Sequence, residues 1–429
     1  MNRRPALLSL LLATVVAVSF ILTAKLSGGQ GNGSAGGPAG SSSPSGSATG
    51  TPSGSASSSG GAGTSPDGSV SLTPAAQTSP FTITKLAPGE KPPQFVIVGF
   101  DGSGDVAQLQ DWARLTAQVH GNVTYFLSGV FMLNPSQRMR YHGPQKPTGY
   151  SAIGFAKPQD PITDVTSLLS QAWLEGNDIG THFNGHFCGP NGVQRWSQAD
   201  WTNELKQFNF LLDHWKSNNG LSTGAPLSFN SSVSVGGRTP CLEGKPAAYL
   251  SAMAKLGYRY DTSGTGTLSW PKKTSNRLWE FPLQTIQWKG AGGGNQLAMD
   301  YNLWYSYNHA TSITSASERA KVSKAVYDSY LAAFNATYAG NRAPLFFGNH
   351  MNYWGCDRAY TDCYHGGSLS NPTPLQHYGP FVDGLQRSYL TMCSKPDVQC
   401  ISYRQMADWL DAQDPAVLAA LRAKGEVAG

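Results

Sequence analysis

Six polar side chains in this sequence directly follow or end short apolar segments, where the ends of buried strands are expected. In a parallel α/β fold the carboxyl ends of the strands meet at one edge, so side chains placed there are expected to lie close together. The set contains a base, an acid, an orienting cation and ligands for a metal, which are the groups that hydrolysis of an amide or ester needs. The six residues are Asp101, His182, His186, Arg238, Asp261 and His350.

His182 and His186 are four residues apart, which places both imidazoles on one face of a helical turn or tight loop. Zinc sites combine such histidines with a carboxylate and leave a position open for water. An H-x3-H spacing alone more often belongs to two ordinary histidines, but the strand-end aspartate beside it favours a metal site. Taken singly, Asp101 suits a helix cap, Arg238 a structural ion pair and His350 a buried, hydrogen-bonded histidine.

Apolar periodicity predicts the elements that position these residues. Strands are expected at 95–100, 122–127, 178–181, 258–260, 344–348 and 398–402. Helices are expected at 106–119, 164–175, 246–256, 315–338, 378–390 and 403–410, with another that begins at a capping box of Ser197 and Asp200. This alternation predicts an α/β fold with a mainly parallel sheet, open or closed into a barrel. Three long segments, 134–163, 264–312 and 351–377, are expected to be loops that build the site.

The first 84 residues differ in composition from the rest of the 429-residue chain. Residues 6–24 carry no charge and are flanked by basic residues, which fits either a signal peptide or a membrane anchor. Residues 27–65 contain only Gly, Ser, Pro, Ala and Thr apart from Gln30 and Asn32, which predicts a disordered linker. We therefore expect a signal or anchor at 1–26, a linker at 27–84, one catalytic domain at 85–415 and a tail at 416–429. The domain is expected outside the cytoplasm, secreted or anchored to the outer face of the plasma membrane.

Charge and hydropathy exclude two classes of protein. The sequence holds 31 Lys and Arg against 26 Asp and Glu, with no basic run, so a nucleic-acid binder is not expected. Only one apolar stretch is long enough to span a bilayer, which excludes a multi-span membrane protein. We expect a monomer.

Six cysteines are an even number, which suggests disulfides in an exported protein. Two pairs have C-x6-C spacing and suit local loops, which leaves one longer bridge, although sequence permits other connectivities. A zinc–thiolate site is the alternative, but no C-x2-C pair supports it. The expected bridges are Cys188–Cys241, Cys356–Cys363 and Cys393–Cys400.

Several segments together resemble the polysaccharide deacetylase family, the NodB-homology carbohydrate esterases. Gly176 to His186 (GNDIGTHFNGH) is similar to the family's G-x-x-I-G strand followed by H-[ST]-x-x-H. Arg238-Thr239-Pro240 matches R-x-P, and Phe346 to His350 matches a strand that ends in histidine. The G-F-D-G-S segment at Asp101 corresponds to T-F-D-D-G. The resemblance covers about residues 94–410.

The resemblance implies a distorted (β/α)7 barrel with long inserted loops and a divalent metal, usually zinc. It implies that His182 and His186 bind the metal, that Asp101 is the general base, that Arg238 holds this carboxylate and that His350 is the general acid. The implied reaction is removal of N- or O-linked acetyl groups from a polysaccharide or cell-wall glycan.

One departure concerns the metal site, because the family's second aspartate corresponds to Gly102. Asp101 would then bind the metal directly, Asp105 or Asp261 would supply the third ligand, or the site would bind sugar without turnover. The alternative function is therefore a tethered carbohydrate-binding protein that uses the same cleft. Hydrolysis of another acyl or amide group is a third option.

Aromatic residues in the long segments are candidates for stacking on sugar rings, and packing within large loops is the alternative. Those predicted to bind substrate are Trp304, Tyr353 and Trp354.

Overall fold

The structure is a computed structural model that describes residues 73–77, 81–158, 160–311, 313, 315–351 and 379–429. Several predictions lie outside the described residues: the apolar segment 6–24, most of the linker, Tyr353, Trp354 and the Cys356–Cys363 bridge. Among the residues that are described, no helix combines the length and apolar character needed to cross a membrane.

Strands and helices alternate through most of the domain. The strands are β1 (Gln94–Asp101), β2 (Thr124–Leu127), β3 (Asp178–Thr181), β4 (Gly236–Gly237), β5 (Tyr260–Asp261), β6 (Thr265–Gly266), β7 (Lys272–Lys273), β8 (Trp279–Glu280), β9 (Leu283–Gln287), β10 (Asn295–Leu297), β11 (Leu345–His350) and β12 (Val398–Cys400). The α-helices are α1 (Val106–Val119), α2 (Ile162–Leu174), α3 (Gln198–Asp213), α4 (Trp215–Asn218), α5 (Pro246–Lys255), α6 (Asp300–Asn308), α7 (Ala316–Ala339), α8 (Pro380–Cys393), α9 (Tyr403–Ala412) and α10 (Pro415–Arg422).

The main sheet has the order β11-β1-β2-β3-β4-β5-β8-β7, with β12 paired to the start of β1. Every neighbouring pair from β11 to β8 is parallel, and β7 is antiparallel to β8. The sheet is curled into a half-barrel with helices around it, so the predicted α/β barrel-type architecture is confirmed. The order in space places the ends of β11, β1, β2, β3, β4 and β5 side by side.

β1 shows why the sequence forms this layered structure. All eight of its residues are buried, and successive side chains point to opposite faces of a strand. Val96, Val98 and Phe100 pack in the cluster that includes residues of α1, α2, α7 and α8, whereas Phe95 and Ile97 pack in the second cluster with residues of α9. A strand buried on both faces has a continuous apolar sequence, which is the signal that predicted it.

Helix bounds also agree with the sequence signals. α1 has the predicted bounds and is capped by Asp105, which accepts a hydrogen bond from the Gln108 amide. α3 begins with the predicted capping box of Ser197 and Asp200. These caps satisfy amide groups that the first turn of a helix leaves without partners.

Three predicted boundaries differ from the structure. Segment 264–312 contains β6 to β10 and α6 rather than only a loop, because strands of two to five residues carry little periodicity. Segment 416–429, predicted as a tail, is packed: Val417, Leu418 and Leu421 are buried in the second cluster. Part of the predicted linker 27–84 contacts the domain: the Trp173 indole donates a hydrogen bond to the Ala75 carbonyl.

Candidate active site

The sheet brings four of the six candidate residues together at the carboxyl ends of its strands. Asp101 is the last residue of β1 and His350 the last residue of β11, and the two are direct partners in the parallel register. His182 follows β3, and Arg238 follows β4. β3 and β4 are paired through Thr181 and Gly237, so the residues after them are also neighbours.

Arg238 is completely buried and holds Asp101. One terminal nitrogen of its guanidinium donates to Asp101 Oδ1 at 2.8 Å, and Nε donates to Thr262 Oγ1 at 3.0 Å. The other terminal nitrogen donates to the Tyr403 hydroxyl at 3.1 Å, and the guanidinium lies over the Phe126 ring. A planar fork of five donors suits this multiple contact, so the arginine orients the carboxylate as well as neutralising it.

A glycine in β11 makes room for this arginine. A Cβ atom at Gly348 would lie 3.1 Å from an Arg238 terminal nitrogen and 3.0 Å from the Met299 methyl group. Gly348, two residues before His350, therefore leaves the space that the Arg238 guanidinium occupies.

The Asp101 carboxyl group is only 3% exposed, and its charge depends on its neighbours. Burial raises its pKa, but the charge of Arg238, with contributions from His182 and His350, outweighs burial and leaves the pKa below the usual value. Asp101 is therefore an ionised carboxylate at neutral pH.

The two histidines of the H-x3-H segment are neutral and adjacent. His182 Nδ1 lies 2.8 Å from the Arg238 carbonyl oxygen, so the ring donates there and presents Nε2 as a lone-pair donor. The ring centroids of His182 and His186 are 5.0 Å apart. Burial lowers the pKa of both, to about 3 for His186. Neutral imidazoles, one with its second nitrogen bonded to a carbonyl, are what metal ligation requires.

The loop that carries these histidines has an unusual backbone. Phe183 and His186 have φ angles of 59° and 54°, which L-residues rarely adopt. Phe183 is buried with its ring 4.8 Å from the ring of Trp201 in an edge-on contact, so packing on α3 supports the strained position.

Glu204 of α3 binds the same loop and was not identified from the sequence. Its buried carboxylate accepts hydrogen bonds from the amides of Asn184 and Gly185, at 3.1 and 3.2 Å, and from the Tyr141 hydroxyl at 2.8 Å. Burial raises its pKa to about 7, although these bonds act in the opposite direction. A signal was present, because Glu204 lies three residues after Trp201 and one before Leu205, on the apolar face of the helix.

His350 is paired with a second missed residue, Asp300, the first residue of α6. His350 Nδ1 lies 2.8 Å from Asp300 Oδ1, and the His350 amide donates to Oδ2 at 2.8 Å. Burial lowers the pKa of His350, but the Asp300 carboxylate outweighs it and the net pKa is raised. His350 is 21% exposed, whereas Asp300 is buried. The Asp300 carboxylate therefore favours the protonated form of His350, which lies beside Asp101 in the sheet.

The other two carboxylates considered as metal ligands are engaged elsewhere. Asp105 caps α1, and burial raises its pKa to about 6 with a further contribution from Asp160. Asp261 ends β5 and accepts from the Ser263 hydroxyl at 2.6 Å, and burial raises its pKa to about 7. Asp101 is the carboxylate whose charge acts on both His182 and His186.

The donor chemistry of Asp101, His182 and His186 suits a zinc-type ion, although their ligand atoms do not all lie within 4.8 Å of one another. In the part of the chain that the structure describes, the group that meets this distance is His186 with Cys188 and Cys241. Those two sulfurs form a disulfide, and a disulfide lacks the thiolate that zinc binds.

Two of the predicted disulfides are present, Cys188–Cys241 and Cys393–Cys400. The first joins the segment after His186 to the segment after Arg238, so it links the two loops of the candidate site. Trp304 lies in α6 rather than in a loop, is 9% exposed and donates its indole N–H to the Thr311 carbonyl at 2.8 Å. This position favours the packing alternative for Trp304.

No protein-family model matches this chain, and no curated protein matches it either. Among solved structures, the chain is similar to a proposed polysaccharide deacetylase from Mycobacterium smegmatis, with 13% identity, 77% of this chain and 96% of the other covered, and a TM-score of 0.41. It is also similar to a protein described as Puue allantoinase, with 11% identity, 75% and 91% covered, and a TM-score of 0.40. For a family 4 carbohydrate esterase from Streptomyces lividans, the identity is 10%, the coverage 73% and 92%, and the TM-score 0.31. Similarity at this level carries no functional conclusion, so the function proposed below depends on the residues of this chain.

Proposed function

We propose that this protein is an exported, metal-dependent hydrolase that removes N- or O-linked acetyl groups from a polysaccharide. The observation that carries the proposal is the direct pairing of Asp101 and His350 at the ends of β1 and β11. Arg238 lowers the pKa of the Asp101 carboxyl group, and Asp300 raises the pKa of the His350 imidazole. A base and an acid that face one reacting group are the pair that acyl transfer to water needs.

In this proposal Asp101 accepts the proton of the attacking water. Arg238 keeps its carboxylate oriented through the bond at 2.8 Å. His350 then donates a proton to the departing amine or alcohol oxygen, and Asp300 keeps its imidazole in the required orientation. The solvent-exposed part of His350 allows it to regain a proton from water.

His182 and His186 would hold the divalent metal, expected to be zinc, with Asp101 as the carboxylate next to them. Such an ion, when bound, polarises a carbonyl oxygen and lowers the pKa of a bound water. The bond from His182 Nδ1 to the Arg238 carbonyl supports this role, because it fixes the ring and directs Nε2 toward the site.

The substrate and location belong to the same proposal. The two disulfides support an oxidising environment outside the cytoplasm. A secreted or membrane-anchored domain on a long linker would meet cell-wall or extracellular glycan there, and we expect it to act as a monomer.

The test is acetate release by the purified full chain from acetylated oligosaccharides and from a small aryl acetate, with and without added zinc. Asp101→Ala, His182→Ala and His350→Ala are each expected to lower the rate by at least about 100-fold. The exposed Asp164→Ala and the half-buried His214→Ala, both outside the candidate site, serve as matched controls and should keep the wild-type rate.

Metal content measured on the same proteins separates the two possible roles of Asp101. If Asp101→Ala keeps the metal but not the activity, Asp101 is the base, and if the metal is also lost, it is a ligand. Unchanged acetate release by any of the three site variants would contradict the mechanism.

A second candidate function is a tethered carbohydrate-binding protein. It is favoured by Gly102, which has a φ of 65° and stands where the resemblance places a second carboxylate. Glycan binding that survives a chelator and Asp101→Ala, without acetate release by the wild type, would support it.

A further inference from the structure

Tyr150 is one of the large apolar side chains that remain exposed, at 49% of its surface. Single exposed aromatic residues are common and carry no meaning by themselves. Tyr150 differs in what lies beneath its ring and in the loop that holds it.

The ring of Tyr150 is the outermost of three stacked rings. It lies parallel to the Phe187 ring, with centroids 5.7 Å apart and planes at 9°. Phe187 is in turn parallel to Tyr141, at 6.4 Å and 11°, and both of these inner rings are buried. Tyr150 therefore packs on a buried aromatic pair, while about half of its own surface remains exposed.

The stack is joined directly to the candidate active site. Phe187 follows His186 in the chain. The Tyr141 hydroxyl donates to Glu204, whose carboxylate also holds the His182–His186 loop. Two residues after Tyr150, the Ala152 amide donates to the Gly185 carbonyl at 2.8 Å. The exposed ring is thus adjacent to the loop that carries both histidines.

The loop around Tyr150 is held by its own hydrogen bonds. The Gly149 amide donates to the Tyr141 carbonyl at 2.8 Å, from a φ of 73° that a side chain would strain. The Tyr150 amide donates to the Pro147 carbonyl at 3.2 Å. The exposed Met139 side chain lies against Gly149, where an added Cβ would be 2.8 Å from its sulfur. A rigid apolar surface loses little entropy when a ligand binds.

We propose that Tyr150, supported by Phe187, is a sugar-binding platform beside the active site. This inference rests on the proposed function. The ligand is the acetylated polysaccharide of the proposed function, because pyranose units present flat apolar ring faces that stack on an exposed aromatic ring. One acetylated unit occupies the site at Asp101 and His350, and a unit further along the same chain stacks on Tyr150. The platform makes the protein select long glycans over short ones.

Phe210 provides a matched control on the same protein. It is an exposed aromatic residue, at 41%, whose ring stacks on His214 with centroids 4.7 Å apart. It lies near the end of α3, and its ring partner is a histidine that no prediction places in the site.

The experiment compares the binding of the N-acetylglucosamine hexamer and dimer by titration calorimetry. Wild type, Tyr150→Ala, Tyr150→Phe and Phe210→Ala are used as full chains, in a chelator that stops turnover, after circular dichroism has confirmed an unchanged fold. We expect Tyr150→Ala to weaken hexamer binding about tenfold. Its dimer binding should stay within about twofold, since on this proposal a dimer held at Asp101 and His350 does not extend to Tyr150. Tyr150→Phe, which keeps the ring, and Phe210→Ala should bind the hexamer like the wild type.

Hexamer binding by Tyr150→Ala that equals the wild type, or an absence of hexamer binding by the wild type, would overturn the platform. Acetate release from the aryl acetate by wild type and Phe210→Ala is measured in parallel without chelator. If the wild type releases acetate but Tyr150→Ala binds the hexamer normally, the proposed function stands and the platform is wrong. If Tyr150→Ala weakens hexamer binding but the wild type releases no acetate, the sugar-binding role of Tyr150 stands and the proposed hydrolase function is wrong.

Discussion

The two halves of the candidate site differ in how they are built. The inner half consists of Asp101, Arg238 and His182, which are almost completely buried and end or directly follow parallel strands of the main sheet. The outer half consists of His350 and Asp300, where the histidine is partly exposed and its partner comes from helix α6 of an inserted segment.

This difference separates two requirements of acid–base hydrolysis. The base has to keep a fixed charge in a dry site, and the buried guanidinium achieves this for Asp101. The acid has to exchange a proton with water in every cycle, which exposure of His350 allows. We therefore expect changes in the inner half to affect folding and activity together, and changes in the outer half to affect activity and its pH dependence with a smaller loss of stability.

The largest effect is expected for Arg238→Ala. It leaves the Asp101 carboxylate buried without its cation, which costs about 3–5 kcal/mol of unfolding free energy. The conservative Arg238→Lys keeps the charge but has no planar fork to serve Asp101, Thr262 and Tyr403 together. Denaturant unfolding and acetate release are measured on both variants.

A graded result is expected, with the lysine variant more stable than the alanine variant and both inactive or nearly so. The exposed Arg138→Ala is the control and should lower the unfolding free energy by less than about 0.5 kcal/mol. Wild-type stability in Arg238→Ala would show that the inner half does not depend on this ion pair.

The second effect concerns the disulfide that joins the two inner loops. Cys188 and Cys241 are 53 residues apart, whereas Cys393 and Cys400 are 7 apart and join the end of α8 to the end of β12. Loop entropy predicts a loss of about 4 kcal/mol for Cys188→Ser with Cys241→Ser and about 2.5 kcal/mol for Cys393→Ser with Cys400→Ser.

Activity under folding conditions distinguishes the two bridges further. The first double variant should lose acetate release because the loops of His186 and Arg238 are no longer tied, and the second should keep it. Equal activity in both double variants would mean that hydrogen bonds alone hold these loops.

The inner half was open to prediction from sequence because its signals are local. Asp101, His182 and Arg238 each follow a short apolar segment or a glycine pair, and strand ends converge in a parallel sheet whatever lies between them. The helix bounds were equally local: α1 agrees with its prediction because Asp105 caps it and apolar residues repeat along it.

The outer half was not open to prediction in the same way. Asp300 precedes no periodic apolar pattern, and helix α6 alternates aromatic and polar residues without a clear apolar face. Its contact with His350 joins residues 50 positions apart, with helices α6 and α7 between them, so it depends on tertiary packing rather than on a local pattern. Glu204 was also missed, but it could have been predicted from the sequence, because a carboxylate on the apolar face of α3 indicates a buried, hydrogen-bonded side chain.

The third effect tests the link between Glu204 and the inner loop. Glu204→Ala leaves the Tyr141 hydroxyl and the Asn184 and Gly185 amides without an acceptor, which costs about 2–3 kcal/mol. Glu204→Gln retains an oxygen acceptor and should lose less. Zinc affinity of both variants, measured by chelator competition, should fall in the same order as stability.

The pH dependence of stability provides a separate check on Glu204. Its pKa is raised from 4.5 to about 7 in the folded protein, so the stability that it contributes is present at low pH and is lost as pH rises through this window. Glu204→Gln should remove that contribution to the slope. An unchanged slope would mean that this carboxyl group does not titrate as its burial implies.

The smallest effect on stability is expected for Asp300→Asn, which removes a charge without changing the size of the side chain. Because Asp300 raises the pKa of His350, the folded state gains stability below the unfolded pKa of histidine and loses it as pH rises through the folded value. The variant should lose this gain. The alkaline limb of its pH–rate profile should shift to lower pH, because His350 without the Asp300 carboxylate gives up its proton at a lower pH. At pH 7 we expect a reduction of about tenfold in the rate of acetate release, less than removal of a general acid would cause.

Asp328→Asn, at an exposed pair with Lys324, is the control and should keep the wild-type pH profile. If the alkaline limb stays in place in Asp300→Asn while the rate falls, Asp300 orients His350 without setting its pKa, and the contrast between the two halves of the site would be one of geometry rather than of proton exchange.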